Sequence, residues 1–427
     1  MNSASIKISV KQKRLSGTIH LTGSKSESNR ALVMQALSDS AVKVKNVSEA
    51  ADSVTLLGIL QPVESLKLEA HNSQLKALSS EIIDIGPAGT AMRFLTAYYT
   101  LQDGEVLLTG SARMKQRPIG MLVDALKELG AKIEYAENEG YPPLKINGPL
   151  QQKSNKVSIK GNISSQYISA LLLIAPRLEQ GLELIIEGEL TSRPYVEMTL
   201  AMMSQAGVKY VWEQNTIKIA NQLFTSSEII VEPDWSAASY WYAIAALSEQ
   251  AEIFLPGLNA YSLQGDSKIT EIMANFGITS QFKDGGVLLK KEPKVLERKI
   301  FDFKECPDLA QTVIVCCAAL KHNATFTGLE TLKIKETDRV NALQVELAKI
   351  GVKLIEGNQT YKLDCSELDL NRSIQVNTYD DHRMAMAFAP LALVMNELRI
   401  EDHRVVDKSY PHFWTDLESI GFLTEKI

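Results

Sequence analysis

A series of short stretches in this chain gathers cations, hydroxyls and glycines where helices are expected to begin. In LTGSKSESNRALVMQAL (21–37), Gly23 opens a turn before Ser24, Lys25, Ser26, Ser28 and Arg30. Ser26 or Ser28 is expected to cap the helix. Backbone N–H groups at a helix N-terminus, the positive end of its dipole and two cations together suit a phosphate or a carboxylate. The stretch is not a P-loop, which needs G-x4-G-K-[ST]: Gly17 and Gly23 are six apart, and Ser24 precedes Lys25. IGPAGTAMRFLTAY (85–98) offers a turn with Gly89, where a ligand can approach the backbone closely, and Arg93 one turn later. TGSARMKQRPIG (109–120) sets Arg113, Lys115 and Arg117 within five residues, ahead of Pro118 at a helix's first position. Like charges so crowded call for an anion.

Further along, Ser164, Ser165 and Gln166 precede an apolar helix, and their hydroxyls and amide suit a polyol or a phosphate. Ser192, Arg193 and Tyr195 stand at another helix start. Asp308 in CPDLAQTV also lies at one, where capping is its ordinary role. In LKIKETDRVNAL, Lys335, Glu336, Asp338 and Arg339 alternate in sign. A surface ion-pair network is the bland explanation and would contribute little. TYDDHRMAMAFAPLA leads with Asp381, His382 and Arg383, with His382 read as structural, and VVDKSYPHFW offers Lys408. Such a set, aimed at one place, makes a locally positive field in a chain whose net charge is −6. The ligand this suits carries several negative charges, most simply two phosphates and a carboxylate. No dense carboxylate or His/Cys set points to a metal.

The elements that must position these residues repeat. A helical stretch, a glycine and a β-rich run recur as ALKELGAKIEY, MMSQAGVKYVW, IMANFGITSQF and ELAKIGVKLIE, with LESIGF as a truncated copy and LLGIL as a weak one. The glycines are Gly58, Gly130, Gly207, Gly277, Gly351 and Gly421, at intervals of 72, 77, 70, 74 and 70. Each is expected just past a helix C-terminus, where φ is positive, and the residues after it suit a strand. Units of this length exceed the common solenoid repeats and fall short of separate domains. They are expected as two groups of three. SEIIVEPDWSAASYWYAIAAL (227–247) reads as a fresh strand, then a helix capped by Asp234 or Ser236, so the break between groups is placed at 227. Residues 21–226 form one expected domain; 1–20 and 227–427 form the other, with the strand region 5–19 joining the second group.

The 427 residues are 45% hydrophobic and 22% charged, an ordinary globular profile that excludes disordered, collagen-like and coiled-coil chains. The longest nearly uncharged apolar stretch, 384–395, contains Pro390 and is well short of the about 20 residues a membrane helix needs. MNSASIKISVKQKR lacks the apolar core of a signal peptide. Cys306, Cys316, Cys317 and Cys365 show no metal-ligand or redox spacing and are expected as buried thiols in a reducing cytoplasm. The acidic balance argues against a nucleic-acid footprint.

Taken together, GSKSESNR (23–30), AGTAMR (88–93), RMKQRPIG (113–120), SSQ (164–166), PYVEMTL (194–200), KETDR (335–339), DHRMAMA (381–387) and KSYPHFW (408–414) resemble the 5-enolpyruvylshikimate-3-phosphate synthase family. KETDR with DHRMAM is the most specific pair, and the match runs through nearly the whole chain in the family's order. The resemblance implies an α+β fold of two similar domains. Each holds three βαβαββ-like repeats with helices and mixed sheets, and the two are hinged around a central cleft by two crossings. It implies transfer of the enolpyruvyl group of phosphoenolpyruvate to the 5-hydroxyl of shikimate 3-phosphate, releasing phosphate, with no cofactor and no metal.

Carried over by position, the resemblance gives shikimate 3-phosphate to Lys25, Ser26, Arg30, Ser164, Ser165, Gln166, Ser192, Tyr195, Asp308 and Lys335. It gives phosphoenolpyruvate to Lys25, Gly89, Arg117, Gln166, Arg339, Arg383 and Lys408. Asp308 is the expected base for the hydroxyl, and Glu336 or Lys25 handles the methylene proton. Pro87, Phe94 and Thr331 depart from the residues frequent in the family at those places, and none is a charged residue of the expected site. The cations divide between the two halves, so closure driven by the two anions is expected, with shikimate 3-phosphate binding first. The expected protein is a cytoplasmic monomer whose partners are these two substrates, with no nucleic acid and no membrane. The rival readings are a transferase acting on a UDP-amino sugar, whose family carries a Cys where 109–120 has none, a nucleotide phosphotransferase, and a non-enzymatic clamp-like repeat scaffold.

Overall fold

A computed structural model describes residues 5–60 and 81–427 of the chain. It divides into two compact units: Lys25–Ser48 with Asp52–Val231, and Met1–Ser24 with Glu49–Ala51 and Glu232–Ile427.

One architectural unit recurs. Glu81–Asp84 pairs in parallel with Gly104–Thr109, with the helix Gly89–Tyr99 between them. The helix Gly120–Leu129 then leads into the hairpin Lys132–Tyr135 and Leu144–Gly148, whose second strand returns beside Gly104–Thr109. The order strand, helix, strand, helix, strand, strand repeats over Lys156–Ile219 and again over Ile300–Asp364, with the same order of strands in the sheet. Alternating exposure, as in the buried-and-exposed pattern of Lys156–Lys160, shows that one face of each sheet is covered and the other meets solvent.

Two sheets are completed by strands from distant sequence. The N-terminal strand Ile6–Val10 inserts between Leu398–Ile400 and Phe422–Lys426. Arg14–Thr18 pairs in parallel with Gln250–Pro256, in the sheet that also holds Ile278–Lys283 and Gly286–Lys291. The expected break at 227 is displaced for the same kind of reason. Ser227–Ile230 pairs in parallel with Val42–Lys45, so this strand stays with the unit it was expected to leave, and the chain changes units between Val231 and Glu232. What would complete the first repeat, in 61–80, lies outside the described residues.

The repeat glycines sort accordingly. Gly130, Gly207, Gly277, Gly351 and Gly421 take φ of 114°, 83°, 80°, 77° and 106°, whereas Gly58 lies inside the helix Ala51–Leu60 and is no terminator. A Cβ at Gly130, Gly277 or Gly351 would sit 2.1–2.3 Å from the carbonyl oxygen of Gln151, Glu292 or Glu367. At these positions the chain folds back onto the helix end, and only glycine leaves room.

In each unit three helices are largely buried and pack on one another: Lys25–Leu37, Gly89–Tyr99 and Ser165–Ile174 in one, Trp235–Leu247, Ala310–Ala319 and His382–Phe388 in the other. Apolar residues all round, as in WSAASYWYAIAAL, are what an inner helix requires. Their first turns carry Lys25, Ser26, Gly89, Ser165, Gln166 and Arg383 from among the residues singled out from sequence. Helices bunched with their N-termini together place like dipole ends side by side, which acidic residues at those ends offset. Asp234 accepts a hydrogen bond from the Ala237 N–H and Asp381 from the Arg383 N–H. Thus Asp234, not Ser236, is the cap of the helix Trp235–Leu247.

Candidate active site

In the unit built around Lys25–Ser48 and Asp52–Val231, the helix begins at Lys25 itself. Ser24 N–H donates to the Glu232 carbonyl within the other unit, which fixes the turn and starts the helix early. Ser26 and Ser28 therefore lie inside it and do not cap. Ser28 is buried and accepts from the Ser48 N–H. Lys25 Nζ lies 3.3 Å from Asp52, a carboxylate sequence reasoning passed over. Arg30 is buried, and every guanidinium nitrogen donates: Nε to Thr199, Nη1 to the Ser26 carbonyl, Nη2 to Ser169 and the Tyr195 carbonyl. Burial pulls its pKa down to about 10. Its plane also lies over the rings of Phe94 and Tyr195, so the departure at Phe94 supplies a packing partner for a cation.

Three loops are laced together beside these residues. Gln166 donates its amide N–H to Thr90 at 3.1 Å, and Ser164 caps its helix. Arg93 donates to the Gly89 carbonyl and to the Pro118 carbonyl, which also accepts from the Tyr167 hydroxyl. This holds the Arg117 guanidinium directly against Gly89: a Cβ there would lie 2.5 Å from Nη1 and 2.9 Å from Cζ and Nη2. Arg117 is buried. Its two basic neighbours do not join it. Lys115 pairs with Glu137 at the surface and Arg113 is exposed beside Gln116, because the short turn Met114–Gln116 points successive side chains apart. Pro118 also misses its expected place, since the helix starts at Gly120. Ser165 and Ser192 are buried, the latter at φ 55°, and Tyr195 is half-buried. Pro87 is exposed in the same turn as Gly89.

In the other unit the KETDR segment is far from a surface network. Arg339 has 2% of its side chain exposed and donates to three carboxylates: Asp381 at 2.7 Å, Glu336 at 2.9 Å and Asp308 at 3.1 Å. Arg383 donates to Asp308 at 2.9 Å and to the Tyr240 hydroxyl, the Asp308 carbonyl and the Ser236 hydroxyl at 3.3 Å. Lys408 lies 3.0 Å from Glu336, and Lys335 3.8 Å from Asp308. Lys408 comes from the turn His403–Lys408 and not from a helix start. His382 is buried with Nδ1 3.7 Å from Asp381. Burial alone would raise the proton affinity of Asp308. Arg383, then Lys335 and Arg339, outweigh burial and hold this carboxyl well below the usual carboxylate range. Asp308, Glu336, Arg339, Lys335, Arg383 and Lys408 thus come together as one cluster. The sequence had not placed Asp381, Ser236, Tyr240 or Asp266 in it. Asp381 carried a signal by standing two residues before Arg383 at a helix start, and Ser236 only as a candidate helix cap.

Such a cluster can do two things. Its guanidinium and ammonium groups can exchange internal carboxylates for a phosphate or carboxylate of a ligand, and its carboxylates can move protons once the cations are engaged. Among the described residues no helix is long and apolar enough to cross a membrane. Comparison with known proteins agrees with this chemistry. The profile described as EPSP synthase (3-phosphoshikimate 1-carboxyvinyltransferase) matches residues 10–417. The chain is 46% identical over 414 residues to the 3-phosphoshikimate 1-carboxyvinyltransferase of Bacteroides fragilis, covering 96% of each chain. It is 34% identical to that of Shewanella oneidensis, covering 95% of this chain and 96% of the other. The solved EPSP synthase of Acinetobacter baumannii superposes with a TM-score of 0.74 at 21% identity, over 99% of this chain and 100% of that one.

Proposed function

The chain belongs to the EPSP synthase (3-phosphoshikimate 1-carboxyvinyltransferase) family, and from that premise we propose how its residues divide the work. The reaction transfers the enolpyruvyl group of phosphoenolpyruvate to the 5-hydroxyl of shikimate 3-phosphate and releases phosphate, in the shikimate pathway. Lys25, Ser26, Arg30, Ser164, Ser165, Gln166, Ser192 and Tyr195 hold shikimate 3-phosphate. Gly89, Arg117, Arg339, Arg383 and Lys408 hold phosphoenolpyruvate, which Lys25 and Gln166 also reach. Lys335 and Asp308 face the reacting hydroxyl.

The observation that carries this division is the convergence of Arg339 and Arg383 on Asp308, with Lys408 on Glu336. A phosphate or carboxylate that takes these cations leaves Asp308 with fewer counter-charges, so its proton affinity rises from its suppressed level toward the range a catalytic base needs. Proton addition at the methylene carbon makes C2 of phosphoenolpyruvate electrophilic. The 5-hydroxyl oxygen bonds to C2 while its proton passes to Asp308. The resulting ketal loses a methyl proton as the C2–O bond to phosphate breaks. Glu336 or Lys25 serves the methylene proton. General acid–base steps supply about 10²–10⁴-fold, so positioning and cations around developing charge must supply the rest.

The protein acts as a cytoplasmic monomer without a nucleic-acid partner. The deciding experiment measures phosphate release from phosphoenolpyruvate with shikimate 3-phosphate or with a UDP-amino sugar as acceptor. Release with the first alone is expected. Release with the second alone overturns the proposal.

A further inference from the structure

Behind Arg383 lies a carboxylate that the mechanism above does not use. Asp266 sits in the short turn Gly265–Lys268 and is buried. Its Oδ2 accepts a hydrogen bond from the Ser236 hydroxyl, while Oδ1 has no hydrogen-bond partner among the described residues. The same Ser236 oxygen accepts from Arg383 Nη2 at 3.3 Å. A buried carboxylate oxygen without a donor is costly, and such a group in a folded protein calls for an explanation.

The groups facing Asp266 explain what it can do. From the turn Pro307–Leu309 and the residue before it come Asp308 and the Cys306 thiol, from the start of the helix Trp235–Leu247 come Asp234 and Ser236, and from the helix His382–Phe388 comes Arg383. Burial first, then the Asp308 charge, push the Asp266 carboxyl up to about 7, against the pull of Arg383 and the Ser236 hydrogen bond. Asp266 can therefore hold or lose a proton near neutral pH.

We propose that Asp266 is a positioning residue for phosphoenolpyruvate binding. As the anion it draws the hydroxyl hydrogen of Ser236 toward itself, which turns a lone pair of that oxygen to the Arg383 guanidinium and fixes where the guanidinium points. Arg383 has two competing acceptors on Nη2, the Asp308 carboxylate and Ser236. The Asp266–Ser236 link keeps Arg383 from collapsing fully onto Asp308, so it remains presented to a ligand. The proposal rests on Arg383 being a phosphoenolpyruvate residue.

The test compares Asp266→Asn, Ser236→Ala and Ser236→Thr with the unaltered enzyme. Asp266→Asn and Ser236→Ala are each expected to raise KM for phosphoenolpyruvate about tenfold, the loss of one charge-assisted hydrogen bond, and to leave KM for shikimate 3-phosphate within about twofold. Ser236→Thr keeps the hydroxyl and is expected to retain the low KM. The ratio of kcat/KM for phosphoenolpyruvate, unaltered over Asp266→Asn, cancels the titration of the substrate. It is expected to be largest above about pH 7 and to fall toward one below about pH 6, where a protonated carboxyl resembles the amide. A ratio flat with pH, equal rises in both KM values, or Ser236→Thr as impaired as Ser236→Ala overturns the proposal. If Asp266→Asn does not fold, the two Ser236 variants decide alone. Absence of phosphate release by the unaltered enzyme would instead refute the functional reading beneath it.

Discussion

Gly89→Ala isolates one contact in this protein. Gly89 is the first residue of the helix Gly89–Tyr99, and its φ lies outside the left-handed region, so alanine suits the backbone and is the better helix former. The added methyl meets the Arg117 guanidinium at 2.5 Å from Nη1 and 2.9 Å from Cζ and Nη2, against the 3.4–4 Å of ordinary contact. The guanidinium must retreat by about 1 Å, enough to spoil a hydrogen bond whose useful range is only a few tenths of an ångström wide. One charge-assisted bond is worth about 1.5–3 kcal/mol, so KM for phosphoenolpyruvate should rise at least about tenfold. KM for shikimate 3-phosphate and the unfolding midpoint in urea should hold steady. Steady-state phosphate release at varied phosphoenolpyruvate reads the effect directly. The reasoning requires the methyl to act through Arg117 alone. Adding Gly89→Ala to an Arg117→Ala enzyme should therefore change nothing further. A second, additive loss in the double variant would refute it, and so would an unchanged KM in the single one.

The acids of the KETDR cluster should separate by role. Asp308→Asn should lower kcat by about 10²–10⁴-fold without raising KM for phosphoenolpyruvate, because it removes a carboxylate that competes with the ligand for Arg339 and Arg383. Rapid-quench turnover and equilibrium binding would check the two halves. Asp381→Asn removes the buried partner that Arg339 meets at 2.7 Å and 3.3 Å. It should cost about 1.5–3 kcal/mol of stability in urea unfolding, the worth of a hydrogen bond to a charged group, because Arg339 keeps Asp308 and Glu336. Asp266 should reveal itself in stability against pH as well. Its folded pKa is raised from 3.8 to about 7, so the folded state binds the proton more tightly, and this stabilisation is complete below pH 3.8 and lost as pH rises toward 7. Thermal unfolding should show Asp266→Asn gaining on the unaltered protein between pH 4 and pH 8. A difference independent of pH would show that the carboxyl does not titrate in that window.

Much of this was legible in the chain because the repeats impose their own punctuation. Glycines such as Gly130 and Gly351 are required by backbone that folds back onto them, so the unit length could be read from their spacing. Charged residues at the starts of inner helices were also visible, since a buried helix such as His382–Phe388 leaves few places for Arg383 except its first turn. Other features depend on contacts distant in sequence. Ser227–Ile230 pairs with Val42–Lys45, a partner that sequence order does not name, so the break at 227 was misplaced by several residues. Proximity in sequence misled at 113–117, where three adjacent cations diverge in space. Asp52 and Asp266 carried no signal, because a lone carboxylate acquires meaning only from the cation or hydroxyl the fold brings to it.

The distribution of burial among the acids separates those that hold the cluster from those that can react. A site assembled for two polyanions gathers cations that repel one another, and internal carboxylates relieve that repulsion. Asp381 does so permanently: it is fully buried, caps its helix and grips Arg339 with both oxygens. Asp308 and Glu336 keep 18% and 13% of their side chains exposed and share their cations with other acceptors. An incoming phosphate or carboxylate can displace these two from Arg383 and Lys408 without unmaking the fold, whereas displacing Asp381 would break a helix start. In the proposed division of roles, the exchange that admits the substrate would also restore the basicity that Arg383, Lys335 and Arg339 suppress in Asp308. On that proposal binding and activation would be one event, with an acid held well below its usual range by cations serving as a base kept in reserve until the anion arrives.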